Sequence, residues 1–168
     1  MLAGRDERAR VRGAQRGSAS DLEALFRTHW PRAVRAAYLV THDAGAAEDI
    51  AQESFLAAIR ALDRFDRRRP FGPWLHRIVV NRAIDWTRAR KLRGEVELVD
   101  SLPAPEKAPA GGETLAALAK LSPEHRAVVV MRYLLEFTPG EIAEALGLPR
   151  GTVNSRLRRG LDALEAEL

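Results

Sequence analysis

The chain contains no cysteine. Disulfides and thiolate-bound metals within it are therefore excluded. No run approaches the roughly 18 apolar residues of a membrane span, so direct membrane insertion is not expected. The opening stretch "MLAGRDERARVRGAQRGSAS" carries charge with no apolar stretch behind it, so it is not a secretory signal. It reads as a flexible basic arm over residues 1–18. The histidines (His29, His42, His76 and His125) are scattered and form no HExxH pair, which predicts no metal site. P-loop and GxGxxG stretches are missing, and the acidic residues have no matching catalytic set, so neither a cofactor nor covalent chemistry is expected. Strand signals are weak: "IVVN" is short and lies inside a longer helical pattern. A cytoplasmic, all-α protein is the simplest reading.

What is present is charge in blocks. The whole chain carries only +4 over 168 residues. Residues 19–63 hold a net of −3, residues 64–94 a net of +8, and residues 95–113 a net of −4. Such segregation predicts different partners for different segments, and the basic block has the size expected of a polyanion-binding surface.

Helical periodicity covers most of the chain. The first long helix is expected over about 20–40, capped by Ser20 or Asp21, with a kink or break near Trp30 forced by Pro31. Leu22, Leu25, Phe26, Val34, Ala37 and Tyr38 would share its buried side. A second helix is expected over about 46–62 and a third over about 73–92. The composition then changes to "GEVELVDSLPAPEKAPAGGE", rich in proline, glycine and alanine with no apolar period, which reads as a flexible linker over 95–112. Two small helical domains follow from this division, one over 19–94 and one over 113–168. In the second, Ser122 with Pro123 and Thr138 with Pro139 mark two helix starts. Gly147 marks a helix end.

The last unit reads as a short helix, a glycine turn and a second helix, which is a helix-turn-helix pattern. At 100° per residue Val153, Leu157, Leu161 and Leu164 form one stripe that packs on Ile142, Ala143 and Leu146. Ser155, Arg158 and Arg159 point away, flanked by Asn154 and Arg156. An amide and a hydroxyl near a helix start, with arginines behind them, suit a helix entering the major groove of DNA.

The segment "FGPWLHRIVVNRAIDWTRARK" puts Leu75, Ile78, Val79 and Trp86 on a core stripe. Trp74, Arg77, Asn81, Ile84 and Arg88 fall on the other side. Aromatics, arginines and an amide on one outward face suit unpaired bases and their phosphates. The loop before it, with Phe65, Phe71 and Arg67–Arg69, is expected to receive a base taken out of the stack; alternatively Trp74 and Phe71 staple the loop to the core. In the second helix Ala47, Ala51, Phe55, Ala58 and Leu62 face inward. Asp49, Gln52, Glu53, Leu56 and Arg60 face outward, an acidic stripe with an apolar anchor for a basic protein partner.

Together these segments resemble the small two-domain sigma factors of the extracytoplasmic-function (group IV) family of bacterial RNA polymerase. "AEDIAQESFLAAIRAL" is similar to the family's second conserved region. "RFDRRRPFGPWLHRIVVNRAIDWTRARK" is similar to the part that melts and reads the −10 element. "SPEHRAVVVMRYLLEFTPGEIAEALGLPRGTVNSRLRRGLDAL" is similar to the fourth region, which reads the −35 element. The resemblance implies a promoter-specificity subunit that binds the polymerase core, at the clamp coiled coil of the largest subunit, through Asp49, Gln52, Glu53 and Leu56. It implies −10 DNA contacts by Phe65, Phe71, Trp74, Arg77, Asn81 and Arg88. It implies −35 contacts by Asn154, Ser155, Arg156, Arg158 and Arg159, with Arg158 standing where the family often has an apolar or aromatic residue. An anti-sigma factor is an expected partner. As in that group, the third conserved region is missing, and no fused sensory domain is expected after residue 168.

Two other readings of the same residues stand beside this one. A stand-alone regulator would dimerise through the amino-terminal helices and bind a palindrome with half-sites about one helical turn apart. The sequence lacks a clear dimerisation seam and carries a second basic helix, which argues against it. A small nucleic-acid enzyme would need convergent carboxylates that the spacing does not supply.

Overall fold

The computed structural model describes residues 2–94 and 112–168. Among the described residues all regular structure is helical: α1 (Leu2–Gln15), α2 (Ala19–Thr41), α3 (Ala44–Ala61), a short 3-10 turn (Leu62–Arg64), α4 (Phe71–Leu92), α5 (Gly112–Lys120), α6 (Pro123–Tyr133), α7 (Pro139–Leu146) and α8 (Arg150–Glu167). The expected linker lies outside the described residues, except for Gly112, which opens α5.

The amino-terminal expectation is corrected. Residues 2–15 form a helix that packs on α2 rather than a flexible arm. Val11 of this helix is 2% exposed, and Ala14 packs beside it on the core. Basic residues surround Val11 in the sequence, and that hid its role. The turn out of α1 uses Gly17 at φ +91°, a left-handed conformation that costs glycine nothing. Ser18 then caps α2, its hydroxyl accepting from the Asp21 amide at 3.3 Å. The cap is thus two residues earlier than the sequence indicated.

Of the kink or break expected near Trp30, the break does not occur: α2 runs on through Pro31. Pro31 itself is exposed, while Leu25, Ala33, Ala36, Ala37 and Val40 on the inner side are buried. The lost backbone hydrogen bond therefore lies towards water, and inward packing holds the helix together across it. α2, α3 and α4 pack on one another to form the core of the first unit. Ala47, Ala51, Phe55, Ala58 and Leu62 are all buried there, as the α3 periodicity predicts.

In the second unit the caps fall where the sequence puts them. The Ser122 hydroxyl accepts from the His125 amide, and Pro123 occupies the first turn of α6. Thr138 and Glu141 form a reciprocal capping box on α7, which satisfies two otherwise orphaned amides. Gly147 closes α7 at φ +63°. Val153, Leu157 and Leu164 are buried and Leu161 is half-buried. α8 packs on α6 as well as on α7. Gly160 makes that approach possible, since a Cβ there would lie 2.9 Å from Val129 Cγ2.

α6 is the element that joins the two units. Residues 126–131 are all buried, six in succession. A helix that packs on one side only leaves its opposite face exposed, so continuous burial requires cover all round. One side meets α7 and α8, and the other meets α2 and α4 of the first unit.

Candidate polymerase and nucleic-acid surfaces

The acidic stripe of α3 is where the periodicity puts it. Asp49, Gln52 and Glu53 are exposed, and Leu56 is 46% exposed. Glu53 lies 3.5 Å from Arg82 of α4, so the acidic face meets the basic helix at its edge. The apolar part of this face is larger than expected. Ile59 is 41% exposed one turn beyond Leu56, and Phe26 of α2 is 39% exposed. Phe26 stacks on Trp30 and tilts against Phe55, each at 4.9 Å between ring centroids. Leu22, Phe26, Phe55, Ala58 and Ile59 line a cleft between α2 and α3. The i,i+3 spacing of Leu56 and Ile59 was a readable signal for this. The expected burial of Phe26 hid the rest.

The middle segment separates into a buried platform and an outward face. Phe65 (8% exposed) and Phe71 (4% exposed) do not present their rings to solvent, so the expectation that they stack on bases is corrected. They form a cluster with Trp74: Phe65 to Trp74 is 4.5 Å between ring centroids, and Phe71 to Trp74 is 5.7 Å. The cluster fixes the loop to α4, as the staple alternative supposed. Ile84 is also buried, on the inner side of α4 with Leu75, His76, Val79, Val80 and Ala83, whereas Ile78 and Trp86 are half-buried. The buried arc is wider than one stripe because α4 touches α2, α3 and α6.

Outside this platform, Trp74, Arg77, Ile78, Asn81, Arg82 and Asp85 line an open groove of about 540 Å³. Arg88 is exposed one turn further on. Arg67 and Arg69 are exposed in the loop, while Arg68 donates to both carboxylate oxygens of Asp66 at 3.0–3.2 Å. Hydrogen bonding from Arg68 holds the Asp66 carboxyl below its usual range. It shapes the loop and leaves the flanking arginines outward.

Two donors of the groove are engaged by the other unit. The Asn81 side-chain amide donates to the carbonyl of Ala145 at 3.0 Å and to Arg77 of its own helix at 3.0 Å. Arg77 donates to the Glu144 carbonyl at 3.4 Å. The end of α7 thus rests on the helix expected to read unpaired bases. In contrast, Asn154, Ser155, Arg158 and Arg159 on α8 are exposed, and Arg156 is half-buried. Pro149 at the start of α8 provides no side-chain cap, which leaves the helix amino terminus suited to a phosphate.

The scattered histidines are partly gathered by the fold. His29 contacts Glu7 of α1 and lies 6.0 Å from the buried His76 ring. Burial, with His29 and Arg32 beside it, pushes the His76 imidazole down to about 4. His42 is buried at the end of α2, in a left-handed conformation at φ +53°. Burial and the nearby Arg126 of α6 push it down to about 4 as well.

Among the described residues the chain is all-α, with a basic aromatic helix in one unit and a helix-turn-helix in the other. The description "Sigma-70 region 2" matches residues 25–93, and "Sigma-70, region 4" matches residues 112–164. The chain is 36% identical over 169 residues to the ECF RNA polymerase sigma factor SigL of Mycobacterium tuberculosis, covering 95% of this chain and 96% of that one. It is 30% identical to SigW of Bacillus subtilis, covering 95% of each. The chain belongs to the extracytoplasmic-function family of RNA polymerase sigma factors, which direct the initiation of transcription. Among solved structures it is similar to CnrH in complex with the cytosolic domain of CnrY, at 29% identity, with a TM-score of 0.71 over 96% of both chains. It shares the fold of RpoE from Bartonella quintana, solved with the anti-sigma factor NepR, at 22% identity and a TM-score of 0.73, over 89% of this chain and 97% of that one. Among the described residues no helix is long and apolar enough to cross a membrane.

Proposed function

We propose that this sigma factor docks on the polymerase core through α3, reads the −35 element with α8, and takes the non-template −10 strand along the outer face of α4. One observation carries the reading: the faces these tasks need lie on different helices of a single chain, exposed on α3 and α8 and forming an open groove on α4. Asp49, Gln52 and Glu53 supply charge for a basic partner, and Leu56 with Ile59 supplies the apolar anchor. Trp74, Arg77, Asn81 and Arg88 meet unpaired bases and phosphates, with Phe65 and Phe71 as the rigid support beneath. Asn154, Ser155, Arg156, Arg158 and Arg159 meet duplex DNA. The work is binding and strand capture, and we assign no covalent step to this chain. It acts in the cytoplasm.

Both N–H groups of the Asn81 amide are taken, by the carbonyls of Arg77 and Ala145, so Asn81 cannot donate to a base edge until α7 leaves α4. The hydrogen bonds themselves hold weakly, about 0.5–1.5 kcal/mol for a neutral pair. The apolar cover of α6 is the larger obstacle to opening, and docking on the core provides the opposing free energy. Once open, each small domain has modest DNA affinity, and tethering on polymerase raises its effective concentration at its element. CnrY and NepR are seen bound to relatives of this fold, which supports an anti-sigma factor as a partner here. Footprinting tests the scheme. Protection of both elements is expected only when core polymerase is present; a two-fold symmetric footprint from the free chain overturns it in favour of a dimeric regulator.

A further inference from the structure

α1 lies before the residues matched by either sigma-70 region. It is nevertheless held firmly. Val11 is buried in the core, and Glu7 contacts His29 of α2. The α1–α2 turn is so close that a Cβ on Gly13 would lie 1.8 Å from an Asp21 carboxylate oxygen. The Ser18 amide also donates to the Gly13 carbonyl at 3.0 Å. α1 is therefore a strut, and its last residue reaches across the chain.

That residue is Gln15. Its amide nitrogen donates to the Leu62 carbonyl at 2.9 Å and to the Phe65 carbonyl at 3.2 Å. These carbonyls belong to the 3-10 turn after α3 and to the residue that opens the basic loop, where helical hydrogen bonding runs out. Phe65 in turn packs on Trp74 at 4.5 Å, and Trp74 lines the groove with Arg77 and Asn81. A continuous series of contacts runs from Gln15 to the groove wall.

We infer that Gln15 is a positioning residue for −10 strand capture: it fixes the backbone at Leu62 and Phe65 and so sets the place of Trp74 and the arginine loop. This rests on the reading of the α4 groove as the strand-binding face. The donor character of the side chain is the specific element. Gln15→Glu keeps the shape but turns an acceptor towards two carbonyls. Gln15→Lys restores a donor at similar reach, since an ammonium offers three N–H bonds and no acceptor.

The test uses full-length chain assembled with core polymerase, on a promoter selected from a DNA library by the parent holoenzyme. Permanganate reactivity of unpaired thymines reads melting. Binding to templates pre-melted across the −10 element, with matched or mismatched non-template strand, reads base discrimination. Gln15→Glu is expected to lower melting and discrimination about tenfold, the scale of two lost neutral hydrogen bonds, with core affinity unchanged. Gln15→Lys is expected to recover most of both. The inference is overturned by parental melting and discrimination in Gln15→Glu, by equal loss in Gln15→Glu and Gln15→Lys, or by a loss confined to core affinity. Trp74→Ala and Asn81→Ala separate the two levels. If they lose discrimination and Gln15→Glu does not, only the role of Gln15 fails. If neither changes discrimination, the groove reading itself fails.

Discussion

Lowering the pH should separate the two units before it unfolds them, because His42 is buried where they meet. Its imidazole is pushed from 6.5 down to about 4 by burial and by Arg126 across the junction. Among the described residues its Nε2 has no hydrogen-bond partner, and the backbone hydrogen bond at Leu39 offsets only part of the cost of a proton on the ring. An imidazole released to water titrates near its ordinary value and binds more protons than the closed form between these two limits. Closure is therefore fully favoured above about pH 6.5, weakens as the pH falls, and levels off below about 4. At pH 5 the difference amounts to about 2 kcal/mol, or roughly thirtyfold in the closing equilibrium, if opening restores full hydration. A cysteine-free chain makes the assay direct. Two cysteines placed at exposed positions, Arg64→Cys and Asp162→Cys, carry a dye pair, and energy transfer is followed from pH 8 to pH 4.5. His42→Asn removes the titrating group while keeping a residue that tolerates the left-handed cap. The expected result is an acid loss of energy transfer in the parent that is largely abolished in His42→Asn, with helical circular dichroism retained at the same pH. Identical acid transitions in the two proteins would refute the reasoning.

His76, also held down to about 4 but away from that junction, should contribute instead to unfolding; a His76→Gln chain should show a flatter dependence of thermal stability on pH between 6.5 and 4. Gly160→Ala should cost about 1–2 kcal/mol in a melting experiment, since overpacking against Val129 exceeds the gain in helix propensity. In a Val129→Ala background the same change should become neutral or stabilising. Asp49→Ala combined with Gln52→Ala should weaken binding to core polymerase in a fluorescence titration without lowering the melting temperature, and Ile59→Ala should weaken it further. Core affinity equal to the parent's in all of them would remove α3 from the docking face.

Local signals gave most of the fold. Ser122 with Pro123, Thr138 with Pro139, and Gly147 each act within one turn of chain, so their meaning does not depend on distant neighbours. The inward stripe of α3 and that of α8 were readable for the same reason. The failures involve contacts distant in sequence. Val11 looks like a stray apolar residue until α2 is beside it, and Pro31 looks like a break until the inner face of α2 is buried. Phe65 and Phe71 look available because a wheel or a loop cannot show that Trp74 closes over them. Ile84 faces outward on a single stripe, yet α4 is covered from three sides. The run at residues 127–131 did carry a legible signal, apolar character all round one helix turn. It means a helix enclosed by two units, and the docking of α7 on Asn81 follows from that enclosure.

The most direct test of the central claim is transcription in vitro with purified bacterial core polymerase, this chain, and a large library of promoter fragments. Initiation from a defined subset sharing −10 and −35 sequences, dependent on the added chain and lost in Asp49→Ala with Gln52→Ala, is the predicted result. Initiation no different from core polymerase alone, across the whole library, would contradict the account.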